Sequence, residues 1–361
     1  MGAERTQLLT SLVADSRVGL LVNHTSIVGD RQTHLLDTLL ALGVNVVKIY
    51  APEHGFRGNE DAGATVNDER DPRTGLPIVS LYGRNRKPTA AQLADIDVIV
   101  FDIQDVGTRF FTYISTMHYA MEACAETGKR FIVCDRPNPN DFVDGPMRRK
   151  GYESFVGMHP IPVLHGLTVG ELALMINGEG WLSGGVKCDL TVVEMQGWRH
   201  GDEYRLPVKP SPNLPDYQSV RLYPSLCFFE GTAVSVGRGT PFPFTVIGYP
   251  DSKGGEFTFT PKSLLGFDTN PMYKDRVCYG DDLRALPFEG GLSLSFVTDF
   301  YRRMGSDEKA FFTRPQTFDL LAGSDELRQQ IIAGMTDEAI RTTWQADLDA
   351  YRALREKYLL Y

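Results

Sequence analysis

The 361-residue chain predicts an α/β fold: a parallel-sheet domain first, then a smaller α+β domain. Three observations carry this. Apolar, β-branched runs recur through the first half without polar alternation, which marks strands buried on both faces. Helical patterns separate several of them, as parallel pairing requires. Near residues 200–217 the texture changes to a polar, proline-rich stretch, "GDEYRLPVKPSPNLPDYQS", of the kind that forms a boundary or a long functional loop.

The strand-like runs are Val18–Val22, Val44–Tyr50, Ile78–Tyr82, Val98–Phe101 and Phe131–Cys134. Between them lie "THLLDTLLALG" (33–43) and "FTYISTMHYAMEACAETG" (111–128). The second repeats apolar residues at helical spacing and stops at a glycine. "TVGELALMINGEG" (168–180) and "CDLTVVEM" (188–195) read as one more helix and strand. Beyond 217 come β-like pieces ("TAVSVG", "FTVIGYP", "FTFTP", "LSLSFVTDFYRRM") and a helical C-terminus with N-cap signals at Ser324 and Thr336. The domains divide as 1–200 and 201–361.

A net charge of −9 argues against nucleic-acid binding, which needs a basic face. No apolar stretch is long enough to span a membrane. The five cysteines are scattered without a CxxC pair, which argues against a zinc site or a disulfide framework. The N-terminus shows no signal-peptide core.

The polar residues fall where strands end, and in open α/β sheets ligands bind beyond the carboxyl ends of the strands. The first strand runs into Asn23, His24 and Thr25. The second runs into Glu53, His54 and then Arg57. "DVIVFDIQDVGTRF" supplies Asp102, Gln104, Asp105, Thr108 and Arg109, and "FIVCDRPNPN" supplies Asp135, Arg136 and Asn138. Singly, each has a plain structural reading: a core histidine, a helix cap at Asp102 or Asp135, an ion pair with Arg136. Glu53 resists one, since it follows a proline and sits too early in its turn to cap a helix.

No G-x-G-x-x-G follows the first strand, and neither a Walker A motif nor a G-x-S-x-G elbow is present. Carboxylates with arginines, amides and the aromatics Tyr82, Phe110, Phe111 and Tyr113 suit a glycosidase. A sugar-binding module without catalysis, and a metal-dependent hydrolase using His24, His54, Asp102 and Asp135, remain alternatives.

Longer motifs narrow the choice. "VGLLVNHTSIV", "YAPEHGFRG", "DAGATVNDERDPRTGLPIVSLYG", "FDIQDVGTRFFTYISTM", "CDRPNPN", "IPVLHGLTVGELA", "FEGTAVSVGRGTPFPF" and the terminal "KYLLY" closely resemble the exo-β-N-acetylmuramidase (NamZ-like) family, from about residue 17 onward. The resemblance implies a Rossmann-like domain plus a smaller C-terminal domain, with the active site in the cleft between them. It implies hydrolysis of a non-reducing terminal N-acetylmuramic acid from peptidoglycan fragments, without cofactor or metal. The glutamate of "PEHG", here Glu53, is then the favoured catalytic residue.

With Glu53 as general acid, Asp102 or Asp105 is expected as nucleophile or base. Alternatively the sugar's own acetamido group attacks, oriented by Asp105. The lactyl carboxylate of muramic acid calls for an arginine fork, for which Arg109 and Arg238 are favoured over Arg57. Asn23, His24, His54, Gln104, Thr108, Tyr113, Asp135, Arg136, Asn138, His165 and Glu230 complete the expected lining, with Asn213 from the proline-rich loop. A cell-wall substrate points to the bacterial envelope for a mature, processed chain, and to the cytoplasm otherwise.

Overall fold

The computed structural model describes residues 1–53, 55–56, 69–251 and 257–361. The central sheet contains β1 (Val18–Val22), β2 (Val46–Ala51), β3 (Glu69–Arg70), β4 (Pro77–Ser80), β5 (Val98–Asp102), β6 (Arg130–Cys134) and β7 (Asp189–Val193). Their spatial order is β7-β6-β5-β1-β2-β4-β3, and every neighbouring pair is parallel except β4 with the short edge strand β3. Because side chains alternate across a strand, Leu21, Ile99, Phe101 and Val133 enter the core on one face. Leu20, Val22, Val98, Val100 and Cys134 enter a second core on the other. The continuous apolar runs of the sequence are the trace of this double burial.

Helices α1 (Tyr113–Thr127) and α2 (Val169–Gly178) pack on the first of these faces. α1 ends at Gly128 in the left-handed conformation (φ 65°), where its N–H bonds the Cys124 carbonyl. α2 opens with a capping box between Thr168 and Glu171.

The C-terminal domain holds a small antiparallel sheet of β8 (Val246–Tyr249), β9 (Phe257–Phe259) and β10 (Cys278–Asp282), with β10 central. Two sequence expectations change here. "TAVSVG" forms no strand beyond a single bridge from Ser235 to Gly248. "LSLSFVTDFYRRM" holds a helix, Ser295–Arg303, because Val297, Phe300 and Tyr301 share one buried helical face that outweighs the short alternation before them. Thr336 caps the helix Asp337–Thr343 as expected, accepting the Ala339 N–H at 3.2 Å. Ser324 accepts the Glu326 N–H at 3.3 Å.

The terminal residues bind back onto the sheet domain. The Tyr361 hydroxyl donates to Asp135 at 2.7 Å and accepts the Met195 N–H at 2.8 Å, while the Leu360 N–H donates to Glu171 at 2.8 Å. Glu171 also meets His200 Nε2 at 2.9 Å, and His200 Nδ1 lies 3.0 Å from Asp141. Burial disfavours the charged imidazole, yet the hydrogen bonds and charges of Asp141 and Glu171 outweigh it and raise its pKa to about 9.

Since this value lies above the ordinary 6.5, the stabilisation is complete below that pH and disappears as pH rises through about 9, on the order of 2–3 kcal/mol in all. Thermal unfolding of the protein and of His200→Gln should therefore show a Tm gap that is widest in mild acid and closes in alkali. A gap independent of pH would show that His200 folds uncharged.

Candidate active site

The chain leaves β1 for β2 on one side and later returns to place β5 on the other, so the β1/β5 boundary is the topological switch point where a crevice opens. Asn23 follows β1 there, Asp105 follows β5, and Glu53 follows the adjacent β2. Glu53 is half-buried. Its Oε2 accepts the Thr112 hydroxyl at 2.9 Å, and the Tyr82 side chain also hydrogen-bonds to it. Burial first, then the charge of Glu53, raises the pKa of both Tyr82 and Tyr113, so both phenols are neutral donors.

Glu53 lines a cavity of about 80 Å³ with Thr112, Tyr113, Asn213, Arg238 and the aromatics Tyr223 and Phe244. Arg238 also lines an adjoining space of about 500 Å³ with Glu230, Asp268, Asn270 and Arg314. The cavity thus lies between the domains: Glu53, Thr112 and Tyr113 come from the sheet side, Arg238 and Phe244 from the C-terminal side. Arg238 Nε and Nη2 each lie 2.6 Å from Glu230 Oε1, and its guanidinium sits 5.1 Å from the Phe244 ring centroid. Burial opposes its charge, but Glu230 prevails and raises its pKa. Asn213 is held by its Nδ2 on the Phe267 carbonyl at 3.2 Å, leaving its buried Oδ1 without a partner among the described residues.

Of the residues expected to form the site, the structure gathers Glu53, Tyr113, Asn213, Glu230 and Arg238 around these two spaces. Others stand behind them. Asp102 is fully buried in a two-bond ion pair with Arg136 (2.6 and 2.8 Å), so its carboxylate is consumed and it is no nucleophile. Asp135 accepts from Thr168, the Gly170 N–H and Tyr361. Burial pushes its pKa up to about 6 against those hydrogen bonds. Its role is to tie α2 and the chain terminus to β6.

Arg109 is likewise not a ligand for a lactyl carboxylate. It is wholly buried, and its guanidinium donates to the carbonyls of Pro146 (2.8 Å), Ile161 (2.7 Å) and Leu321 (2.8 Å). Gln104 Nε2 serves the carbonyls of Asp105 and Pro137, Asn138 bridges Leu167 and Asn140, and Thr108 is buried on the Val106 carbonyl. His24 Nε2 pairs with the Lys209 carbonyl at 2.8 Å. Buried Asn23 turns its Oδ1 to Thr25 and stands beside Tyr113.

Asp105 faces the buried His165 Nε2 at 3.7 Å and takes the Gly107 N–H at 2.6 Å. Gly107 has to be glycine, since its φ is 74° and a Cβ would strike the Asn138 side chain. His54 and Arg57 lie outside the described residues. Among the described residues no cluster of three His, Cys, Asp or Glu side chains could hold a metal ion, and no helix is long and apolar enough to cross a membrane. Ser211, Tyr223 and Phe244 escaped the sequence reading because no local pattern places them beside Glu53; only domain packing does.

The family model "Exo-beta-N-acetylmuramidase NamZ, N-terminal" matches residues 18–218, and its C-terminal counterpart matches 221–361. This chain belongs to the NamZ family. It is 39% identical to the peptidoglycan β-N-acetylmuramidase NamZ of Bacillus subtilis (strain 168), over 96% of this chain and 87% of that protein. Two crystal structures of DUF1343 family proteins from Bacteroides fragilis NCTC 9343 superpose with TM-scores of 0.91 and 0.85, at 43% and 34% identity, each over all of this chain and 98% of the other. Both the parallel-sheet architecture and the smaller second domain are therefore those of the family.

The Arg109 geometry yields a prediction. Arg109→Lys gives up two of three charge-assisted bonds in a buried setting and should cost about 2–4 kcal/mol, read as a Tm fall of several degrees. KM for a muramide at a temperature where the variant remains folded should be unchanged. A raised KM with unchanged Tm would return Arg109 to the substrate.

Proposed function

We propose that the protein is an exo-acting glycoside hydrolase that releases non-reducing terminal N-acetylmuramic acid from peptidoglycan fragments of the MurNAc–GlcNAc type. The observation that carries this reading is Glu53, the one carboxylate among the described residues of a small, aromatic-walled cavity whose cation is Arg238. Glu53 meets hydroxyl partners, Thr112 and Tyr82, which fix its carboxyl at the cavity wall. As general acid it protonates the leaving glycosidic oxygen.

Arg238 supplies the charge for the lactyl carboxylate, held in place by Glu230 and Phe244. The Asn213 Oδ1 is an acceptor for the sugar's acetamido N–H. Asp105 acts from behind Tyr113 as a positioning residue, through Gly107 and the electrostatics of the Tyr113 hydroxyl. Work on such a substrate places the protein in the bacterial envelope or wherever wall fragments are recovered.

Release of chromophore from a nitrophenyl β-N-acetylmuramide, compared with the matching N-acetylglucosaminide, tests the reading. Turnover should be confined to the muramide and should survive a chelator. No turnover of either would favour a sugar-binding module, and loss to chelator would favour a metal hydrolase. Glu53→Gln should lose about 10²–10⁴-fold in kcat on a MurNAc–GlcNAc disaccharide, whose sugar leaving group needs the proton, with its Tm kept, since general acid catalysis contributes about that much. Arg238→Gln should raise KM for the muramide about 10–100-fold, the worth of one charge-assisted contact. An unchanged KM for the muramide in the folded variant would disprove that pairing.

A further inference from the structure

A second space, of about 620 Å³, runs beside α1 between the helix and the 148–160 loop. Its walls set aromatic rings among charged and polar side chains such as Arg148, Glu122 and Glu153. Tyr119 and Phe155 lie nearly parallel (13° between planes, centroids 6.3 Å apart), the Arg86 guanidinium lies 4.4 Å over Phe155, and half-exposed Trp181 extends the surface, braced 5.9 Å from His159. In the same wall Arg148 Nε and Ser154 Oγ are buried without hydrogen-bond partners among the described residues. Such atoms are costly unless something completes them.

This space and the active site share a wall element, helix α1. α1 begins after Thr112, whose hydroxyl holds Glu53, and Tyr119 lies seven residues further, about 10 Å along the axis at 1.5 Å per residue. Outside the groove Tyr82 bonds to Glu53 while feeling the charge of Arg86, which lines the groove. The Ser115 hydroxyl, one turn into α1, fixes the loop by donating to the Phe155 carbonyl at 2.7 Å. Flat aromatic faces beside hydrogen-bonding groups suit a ligand that is apolar on its ring faces and polar around its rim, which describes a pyranose.

We infer that the Arg86–Phe155–Tyr119–Trp181 groove is a subsite for the leaving-group side of a glycan, binding the N-acetylated sugars that follow the scissile bond. The inference rests on the proposed muramidase reading. It makes the enzyme sensitive to chain length: the Glu53 cavity and the adjoining space at Arg238 take the terminal muramyl unit, and the groove holds the rest of the saccharide by stacking. Arg86, stacked over Phe155, is the donor on the Tyr82 side of the groove.

The test compares Phe155→Ala and Tyr119→Ala with the unaltered protein on two substrates, the nitrophenyl muramide and a muramyl-terminated hexasaccharide. The expected result is a rise of about 5–20-fold in KM for the hexasaccharide, the scale of a lost aromatic contact, with muramide kcat/KM within about twofold. The muramide doubles as the control for folding. An unchanged ratio of hexasaccharide to muramide efficiency in both variants would overturn the subsite, as would equal loss on both substrates. Failure of the unaltered protein to cleave any muramide would instead count against the hydrolase reading itself.

Discussion

A buried guanidinium at the domain junction is the constraint around which the two halves of this molecule meet. Arg109 reaches carbonyls of the sheet domain (Pro146, Ile161) and of the C-terminal domain (Leu321) from within the loop that goes on to present Thr112 and Tyr113 to the cavity. A buried charge without partners would cost several kcal/mol, so the three carbonyls cannot drift apart while the arginine stays charged. Gly323 opposite leaves room for it, since a Cβ there would crowd Nη2 at 2.8 Å. Because Glu53 and Arg238 come from different domains, the shape of the cavity depends on this contact together with the others that join the domains, such as Arg341 on Asp144 and Tyr351 on the His165 carbonyl.

The same logic sorts the acidic residues at the strand ends. Asp102 meets a guanidinium, Asp135 meets hydroxyls and an N–H at a helix terminus, and Glu171 meets His200 and the Leu360 N–H. Each is locked by groups that are themselves fixed, and each ties elements together. Glu53 is half-exposed and held by two hydroxyls, which hydrogen-bond it without neutralising it. Removing the Glu53 carboxylate would leave two hydroxyls to re-pair, whereas removing that of Asp102 would strand Arg136 as a buried unpaired charge.

Aromatic rings surround the cavity on the C-terminal side, where Tyr223 packs edge-on against Phe110, Phe111 and Phe244. These contacts knit the first domain's loop to the second domain's wall and limit water near Glu53. The groove beside α1 belongs to the sheet domain alone, so terminal-sugar recognition and chain recognition rest on different supports.

The sequence by itself determined the parallel sheet, through β-branched runs buried on both faces, and it determined that chemistry collects at the strand ends, since a strand delivers its last residues to one edge. It also singled out Glu53, because a glutamate after a proline has no local structural task. It misassigned 292–304, where helical contacts outweighed a short alternation, and it could not sort the arginines. Arg109 and Arg238 both sit in short polar, glycine-containing motifs. One is buried on backbone carbonyls and the other lines a cavity, and that difference is set by which domain packs against each. Only the tertiary structure decided it: the cost of burying a charge depends on partners more than 200 residues away (Leu321 for Arg109, 212 positions on), and no local spacing encodes them.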